Sequence, residues 1–311
     1  MRLAGWLGLG FLTMAAGWVH AQTPSPAPQT TDVVGDDVSA AARQWAGGDL
    51  AGRNALMALA NAGRADAQEA VGEILMAGVA GAPDRFTACG YFAEAAKSRR
   101  DALHSLAVCT EMGVGGTPNL TRAAELYKEA ADQGYAKSMC ALGNLYVTGR
   151  GVPKDPVHGA SLCLMGAQAG NADAQTDVGN LYLQGVGVPH DLAKARSWYE
   201  KAAESGQPNA EFTLGIIYWN GAGVAADHDK AAAFWRSAYG HGRVDAALPL
   251  AAGALARWNA GHPQGDTSAL DEAIGWYREA IKTAPEAKRP EIQNQLASAL
   301  AMKDAEAKSV Q

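Results

Sequence analysis

The sequence lacks the short motifs that mark common hydrolases and metalloenzymes. It contains no G-x-S-x-G, no H-E-x-x-H and no S-x-x-K, so serine hydrolases, zinc proteases and penicillin-recognising enzymes have no local signature in it. No two histidines stand four residues apart and no two cysteines show C-x-x-C spacing, which removes the usual metal-ligand patterns. The sequence therefore predicts a protein without a catalytic residue, a metal ion or a cofactor.

Basic charge is also scarce. The chain has 26 lysines and arginines against 32 aspartates and glutamates, and its formal net charge is -6. No basic stripe is present that would neutralise a run of phosphates, and such neutralisation supplies much of the affinity of nucleic-acid binding. The composition therefore argues against nucleic acid as a partner.

The first residues have the three parts of an export signal. Arg2 gives a basic start, residues 3–19 form an apolar run, and Val19-His20-Ala21 places small residues where a signal peptidase cleaves. An uncleaved membrane anchor is the alternative, but the run is short for a span of about 20 residues. We predict a cleaved signal peptide over residues 1–21 and a periplasmic or secreted protein, not inserted in a membrane after cleavage.

A period of 36 residues runs through the middle of the chain. The related strings A-L-G-N-L-Y, D-V-G-N-L-Y and T-L-G-I-I-Y begin at residues 141, 177 and 213. Each unit also carries a glycine followed six residues later by Asp or Asn; the pairs are Gly78 and Asp84, Gly113 and Asn119, Gly149 and Asp155, Gly185 and Asp191, and Gly221 and Asp227. Glycine readily adopts positive φ, and a short polar side chain caps a helix N-terminus. Each unit is therefore predicted to have a first helix that ends at the glycine and a second helix that begins after the Asp or Asn.

The second helices carry rings and alanines at helical spacing, such as Trp198 and Tyr199 followed by Ala202 and Ala203. Small alanines permit close approach of neighbouring helices and rings fill the gaps, so these rows are predicted to be core. The unit over residues 172–206 resembles the Sel1-like repeat, a relative of the tetratricopeptide repeat. The resemblance implies an all-α fold, a right-handed superhelical solenoid of antiparallel helix pairs.

The resemblance is uneven along the chain. It is close in residues 208–242 and looser in residues 136–170, and it is loosest in residues 65–100. In the looser unit the usual Ala, Trp, Tyr and Ala of the second helix are replaced by Gly159, Leu162, Cys163 and Gly166. We predict five repeats over residues 65–243.

The two ends of the chain depart from the repeat. Upstream, residues 22–37 contain three prolines and are predicted to be a disordered linker, and residues 38–64 are predicted to be N-terminal capping helices. Downstream, residues 244–284 form an irregular sixth repeat, with six extra residues around 261–265 and Pro249 either starting or kinking its first helix. Residues 285–311 are predicted to be a C-terminal capping helix and tail, frayed over the last eight residues.

Four cysteines in an exported chain form either two disulfides or four buried thiols. In an antiparallel helix pair, two residues lie opposite each other when the midpoint of their residue numbers falls in the loop that connects the helices. Cys140 and Cys163 have their midpoint in the loop at residues 151–152, and Cys89 and Cys109 have theirs at the turn around residue 99. We predict the disulfides Cys89–Cys109 and Cys140–Cys163, each stabilising by about 2–4 kcal/mol.

Stacked helix pairs form a long concave surface, usually lined by the first helices, that suits an extended peptide or a protein edge. Asn144 and Asn180 hold equivalent positions, and amides at repeat spacing can hydrogen-bond a peptide backbone. Gln175 precedes Gly179 by four residues and belongs near the same face. Simple exposure to solvent is the alternative for the two asparagines. We expect a non-catalytic protein–protein interaction scaffold in the cell envelope. Its partner is expected to be a protein or a peptide, which the sequence of the repeats does not identify.

The resemblance implies a competing function. Cysteine-rich secreted relatives have been linked to penicillin binding and to weak β-lactamase activity. Those relatives usually carry a cysteine pair in every repeat, whereas this chain has two pairs in all. A structural part of a cell-envelope complex is a third possibility, which differs from the scaffold in the permanence of the association.

Overall fold

A computed structural model describes residues 34–79 and 81–309. The predicted signal peptide and nearly all of the predicted linker lie outside these residues. The described chain forms 15 α-helices and two 3-10 turns, Val244–Ala246 and Glu286–Lys288, without a β-strand. The helices are α1 (Asp36–Ala46), α2 (Leu50–Asn61), α3 (Ala65–Ala77), α4 (Arg85–Ala95), α5 (Arg100–Met112), α6 (Leu120–Asp132), α7 (Ala136–Thr148), α8 (Pro156–Gln168), α9 (Ala172–Gln184), α10 (Leu192–Glu204), α11 (Pro208–Asn220), α12 (His228–Gly240), α13 (Ala247–Ala260), α14 (Ser268–Thr283) and α15 (Arg289–Ser309).

Each helix packs against the next one along the chain, so the molecule is a stack of helix pairs. The pairs α3–α4 to α11–α12 are the five regular repeats, and within each pair we keep the terms first helix and second helix. The pair α1–α2 covers one end of the stack, while α13, α14 and α15 cover the other. The prediction of an all-α solenoid is confirmed.

The recurring glycines end the first helices, and the recurring Asp or Asn residues cap the second helices. Gly185 ends α9 in the left-handed region with φ of 69°, and Asp191 accepts a hydrogen bond from the backbone N of Lys194 at 2.9 Å to cap α10. The other first helices also end at a left-handed glycine, at Gly78, Gly113, Gly149 and Gly221. The other second helices are capped by the side chains of Asp84, Asn119, Asp155 and Asp227. Local chemistry therefore sets the boundaries of both helices in each repeat.

In most repeats a ring of the second helix fills the space above a glycine of the first. A Cβ atom at Gly179 would lie 2.6 Å from the ring of Tyr199, and one at Gly72 would lie 2.5 Å from the ring of Phe92. Both rings are almost completely buried. The missing side chain of the glycine is thus what lets the ring lie flat between the two helices.

The third pair, α7–α8, is packed differently. Cys163 occupies the ring position and forms a disulfide with Cys140 of the first helix. A Cβ atom at Gly143 would lie 2.5 Å from the backbone O of Gly159 on α8, so here the two backbones themselves are in contact. The predicted second disulfide, Cys89–Cys109, is also formed, and it joins α4 to α5.

The ends differ in detail from the sequence predictions. Helix α1 begins at Asp36, two residues before the predicted boundary at residue 38. Pro249 is the third residue of α13, where a missing backbone donor is tolerated, so it lies in the first turn of the helix and does not kink it. Helix α15 continues to Ser309, and Glu306 accepts a hydrogen bond from Gly265 N at 2.7 Å; fraying of the last residues stays a prediction.

Candidate functional site: the concave surface

The first helices line the inner side of the stack. Backbone contacts between alternate helices occur from α1 to α3 and from α7 to α9, both of which are rows of first helices. Side chains bond across the same row: Asn144 Nδ2 on α7 donates to Asp177 Oδ2 on α9 at 3.0 Å. In a curved solenoid the more closely spaced row is the concave one. We therefore take the first-helix face as the candidate binding surface.

A polar ladder, which the sequence analysis missed, runs along the N-terminal ends of the first helices. Arg64, Arg99, Gln207 and Arg243 each reach the side chain two residues further along the chain, the second residue of the preceding first helix, or both. Arg243 bonds to Asp245 at 2.7 Å and also contacts Asn209 of the preceding repeat, while Gln207 Nε2 donates to Asp173 at 3.1 Å. Arg64 does the same with Asp66 at 2.7 Å and Asp37 at 2.5 Å. The recurring R-x-D strings at residues 64, 99 and 243 are the sequence signal of this ladder.

One rung of the polar ladder, formed by Arg99, Glu69 and Asp101, is buried. Arg99 Nε donates to Glu69 at 2.6 Å and its Nη2 donates to Asp101 at 2.5 Å, and all three side chains are less than one-tenth exposed. Burial and the neighbouring Asp101 carboxylate raise the pKa of Glu69 to about 9. One guanidinium thus holds two buried carboxyl groups.

The concave surface beside this rung is acidic. Burial and the Asp101 carboxylate also raise the pKa of Glu73, although its side chain still reaches solvent; Lys137 on α7 acts in the opposite direction. Asp173 and Asp177 continue the acidic character on α9. A partner that lies along this face meets more carboxylates than cations.

The structure places two of the three predicted peptide-binding residues on the open face. Asn144 is exposed, and Asn180 is half-buried, with its Oδ1 accepting a hydrogen bond from Tyr199 OH at 2.7 Å. Gln175 is turned into the fold instead, because its Nε2 donates to the backbone O of Ala167 at the end of α8 at 3.2 Å and its side chain is buried. Asn144 and Asn180 share one row of the concave surface with Glu73, Val108 and Ile216, each one residue after the glycine or alanine that packs against the second helix.

Catalytic and metal chemistry was also sought in the described residues. Ser138 Oγ lies 3.0 Å from His104 Nδ1, but Ser138 has no exposed surface. Among the described residues no group of three or more His, Cys, Asp or Glu side chains is placed to hold a metal ion. Within the same ranges, every helix is too short or too polar to cross a membrane.

The chain was compared with known proteins. A family model described as the Sel1 repeat matches residues 65–98, 100–135, 136–171, 172–207 and 208–242. A solved Sel1 repeat protein from Oxalobacter formigenes is 22% identical, with a TM-score of 0.63, over 79% of this chain and 100% of that one. The protective antigen c5321 of uropathogenic Escherichia coli, which displays an SLR fold, is 24% identical with a TM-score of 0.57 over 85% of this chain. This chain spans 57% of that antigen's length. No curated protein matches it.

Proposed function

The chain belongs to the Sel1 repeat family, whose members are generally protein-interaction scaffolds, and we propose that it binds an extended peptide or protein edge on its concave surface. The observation that carries the proposal is the repeated amide on adjacent first helices, Asn144 on α7 and Asn180 on α9. An amide offers both a donor and an acceptor, which is what an extended backbone requires. Among the described residues, the Nδ2 of Asn180 donates to no protein acceptor, which leaves it for a partner.

The repeat spacing suits such a ligand. Adjacent packed helices lie about 8–10 Å apart, and an extended chain advances about 3.3 Å per residue. Amides on neighbouring first helices would then meet backbone groups about three residues apart on the ligand. The amides would thus hydrogen-bond the ligand backbone at regular intervals. The ligand side chains would contact residues of the solenoid that differ from repeat to repeat.

Charge favours a neutral or basic partner segment. The concave surface carries the carboxylates Glu73, Asp173 and Asp177, and Lys137 is a cation near Glu73. Complementary charge speeds association and excludes acidic competitors more than it raises affinity. Export to the cell envelope is part of the same proposal, and the two disulfides support it because they persist in oxidising compartments.

The proposal is tested by selecting peptides from a displayed library against the folded protein and measuring their affinity by fluorescence anisotropy. Replacement of both amides, Asn144→Ala with Asn180→Ala, should weaken binding of the selected peptides about 5- to 100-fold, since each lost hydrogen bond costs about 0.5–1.5 kcal/mol. The matched control is Asn54→Ala with Asn294→Ala, two exposed amides on α2 and α15. Equal affinity in the Asn144 and Asn180 variant and the wild type would reject the concave site.

The competing proposal of penicillin binding or β-lactamase activity has one observation in its favour, the contact between Ser138 and His104. An acylating substrate would need local opening to reach Ser138, because its side chain is completely buried. Turnover of nitrocefin by the purified protein distinguishes the two functions. Steady hydrolysis would favour the enzyme, and its absence together with peptide binding would favour the scaffold.

A further inference from the structure

The two disulfides have different surroundings. Cys140 and Cys163 are 3% and 0% exposed, so the disulfide of the third pair is sealed in the core. Cys109 is buried too, but its partner Cys89 is half-buried and lines a surface cavity of about 280 Å³. Cys109 also borders this cavity, and the remaining walls are Phe86, Gly90, Leu106, Thr110 and Val114.

The approach to Cys89 is open because the next residue has no side chain. A Cβ atom at Gly90 would meet nothing within 4 Å. The equivalent position of the following repeats carries Glu125, Ser161, Ser197 and Ala233, and glycine returns at Gly275 of α14. Beside the opening, Phe86 is an apolar ring that is 72% exposed. An apolar surface next to an accessible sulfur suits docking of a protein that carries a reactive thiol.

We propose that Cys89 is a site of thiol–disulfide exchange, attacked by a dithiol protein with an apolar surface around its reactive cysteine. The attacking thiolate forms a bond to Cys89 Sγ, and the Cys89–Cys109 bond breaks with its electron pair leaving on Cys109, which takes up a proton. The second thiol of the dithiol protein, as thiolate, then attacks the sulfur of its own mixed-disulfide cysteine. Its internal disulfide forms and Cys89 leaves as a thiolate that is protonated. The dithiol is oxidised by two electrons and this chain is reduced by two.

Opening this bond releases a link between repeats. Cys89–Cys109 joins the second helix of one repeat to the first helix of the next, whereas Cys140–Cys163 lies within one pair. The buried core at the α4–α5 junction is small: Ala88, Phe92 and Cys109 are its buried members, and Leu75, Met76 and Leu106 pack against them partly buried. Reduction therefore loosens the stack where α5 enters the concave surface.

The inference is tested on the purified, folded protein with dithiothreitol as the dithiol. Samples are quenched with iodoacetamide over time, and alkylation at each cysteine is followed by mass spectrometry. Cys89 and Cys109 should become alkylated at least about tenfold faster than Cys140 and Cys163, because access limits attack on a disulfide. Equal rates for the two pairs would overturn the proposal.

A second experiment fills the cavity beside Cys89 with a side chain. Gly90→Leu should slow reduction of Cys89–Cys109 about tenfold or more by covering Cys89, without changing the rate for Cys140–Cys163. Gly275→Leu is the matched control, since a Cβ there also meets nothing within 4 Å and α14 is far from both disulfides in the stack. If Gly90→Leu left the rate of Cys89–Cys109 reduction unchanged, attack through this cavity would be excluded.

Discussion

The third helix pair, α7–α8, and the fifth, α11–α12, join a first helix to a second helix with different side chains. In the fifth pair the ring of Trp235 lies over Gly215 and its Nε1 donates to the backbone O of Phe212 at 3.2 Å. In the third pair the same position is Cys163, and the disulfide takes the place of the ring. Without a ring to fill the space, the helices close until Gly143 and Gly159 touch. A weak match to a repeat pattern thus marks an alternative way of packing rather than a missing repeat.

The ring of the fifth pair and the disulfide of the third pair stabilise the fold differently. The ring acts on the folded state and the disulfide acts mainly on the unfolded state. A buried ring lowers the free energy of the folded state by removing apolar surface from water and by dispersion contacts. A disulfide acts mainly by restricting the unfolded chain. Variants of the ring, the cysteines and the glycines beneath them test this contrast.

The largest effect is expected from removing the ring of the fifth pair. Trp235→Ala should lower the free energy of unfolding by about 3–5 kcal/mol, because the ring is 2% exposed and leaves a cavity above Gly215. Removal of the third pair's link, by Cys140→Ala with Cys163→Ala, should cost about 2–4 kcal/mol. Urea denaturation followed by circular dichroism measures both. A smaller loss in Trp235→Ala than in the cysteine variant would mean that the ring is not the main support of its pair.

An intermediate effect is expected at the glycines under these contacts. Gly143→Ala should cost about 1–3 kcal/mol, since its Cβ would lie 2.5 Å from a backbone oxygen that cannot move without separating the helices. Gly215→Ala meets the buried ring of Trp235 instead, and it should cost less because a side chain yields more readily than a backbone carbonyl.

Gly90→Ala is the control for the helix propensity of alanine, because its Cβ meets nothing within 4 Å and the change should stabilise by about 0.5–1 kcal/mol. The three variants are compared by their thermal midpoints. Equal midpoints for Gly143→Ala and Gly215→Ala would show that the backbone contact of the third pair is no tighter than the ring contact.

The last effect is a pH dependence, and it is confined to the N-terminal repeats. Glu69 has a raised pKa of about 9 in the folded protein against an ordinary value of 4.5. The unfolded chain therefore loses this proton first, so the contribution is complete below about pH 4.5 and is lost as pH rises towards 9. Glu69→Gln, which keeps a neutral acceptor for Arg99, should flatten this part of the stability profile. Thermal midpoints between pH 5 and pH 9 that fall equally in the variant and the wild type would assign the slope to other groups.

Much of the fold was predictable because its signals are local. A glycine that must adopt positive φ and an Asp or Asn that caps the next helix stand within six residues of each other, so Gly185 and Asp191 mark their boundaries without reference to the rest of the chain. The disulfide partners followed from the antiparallel arrangement of neighbouring helices alone. The candidate site was less predictable, because its geometry depends on how successive first helices approach. Gln175 illustrates this, since its spacing suited the open face while its amide bonds to the end of α8.

The sequence by itself determined the repeat, the helix ends and the cysteine pairs, because each depends on backbone conformation or on spacing within one or two helices. Only the tertiary structure decided which disulfide is open, which carboxyl groups share an arginine and which amides remain free. These properties arise where α3, α5, α7 and α9 stack side by side, and side chains about 35 residues apart in the chain become neighbours there. Burial and electrostatics at such junctions depend on the distance between helices, which no local pattern encodes.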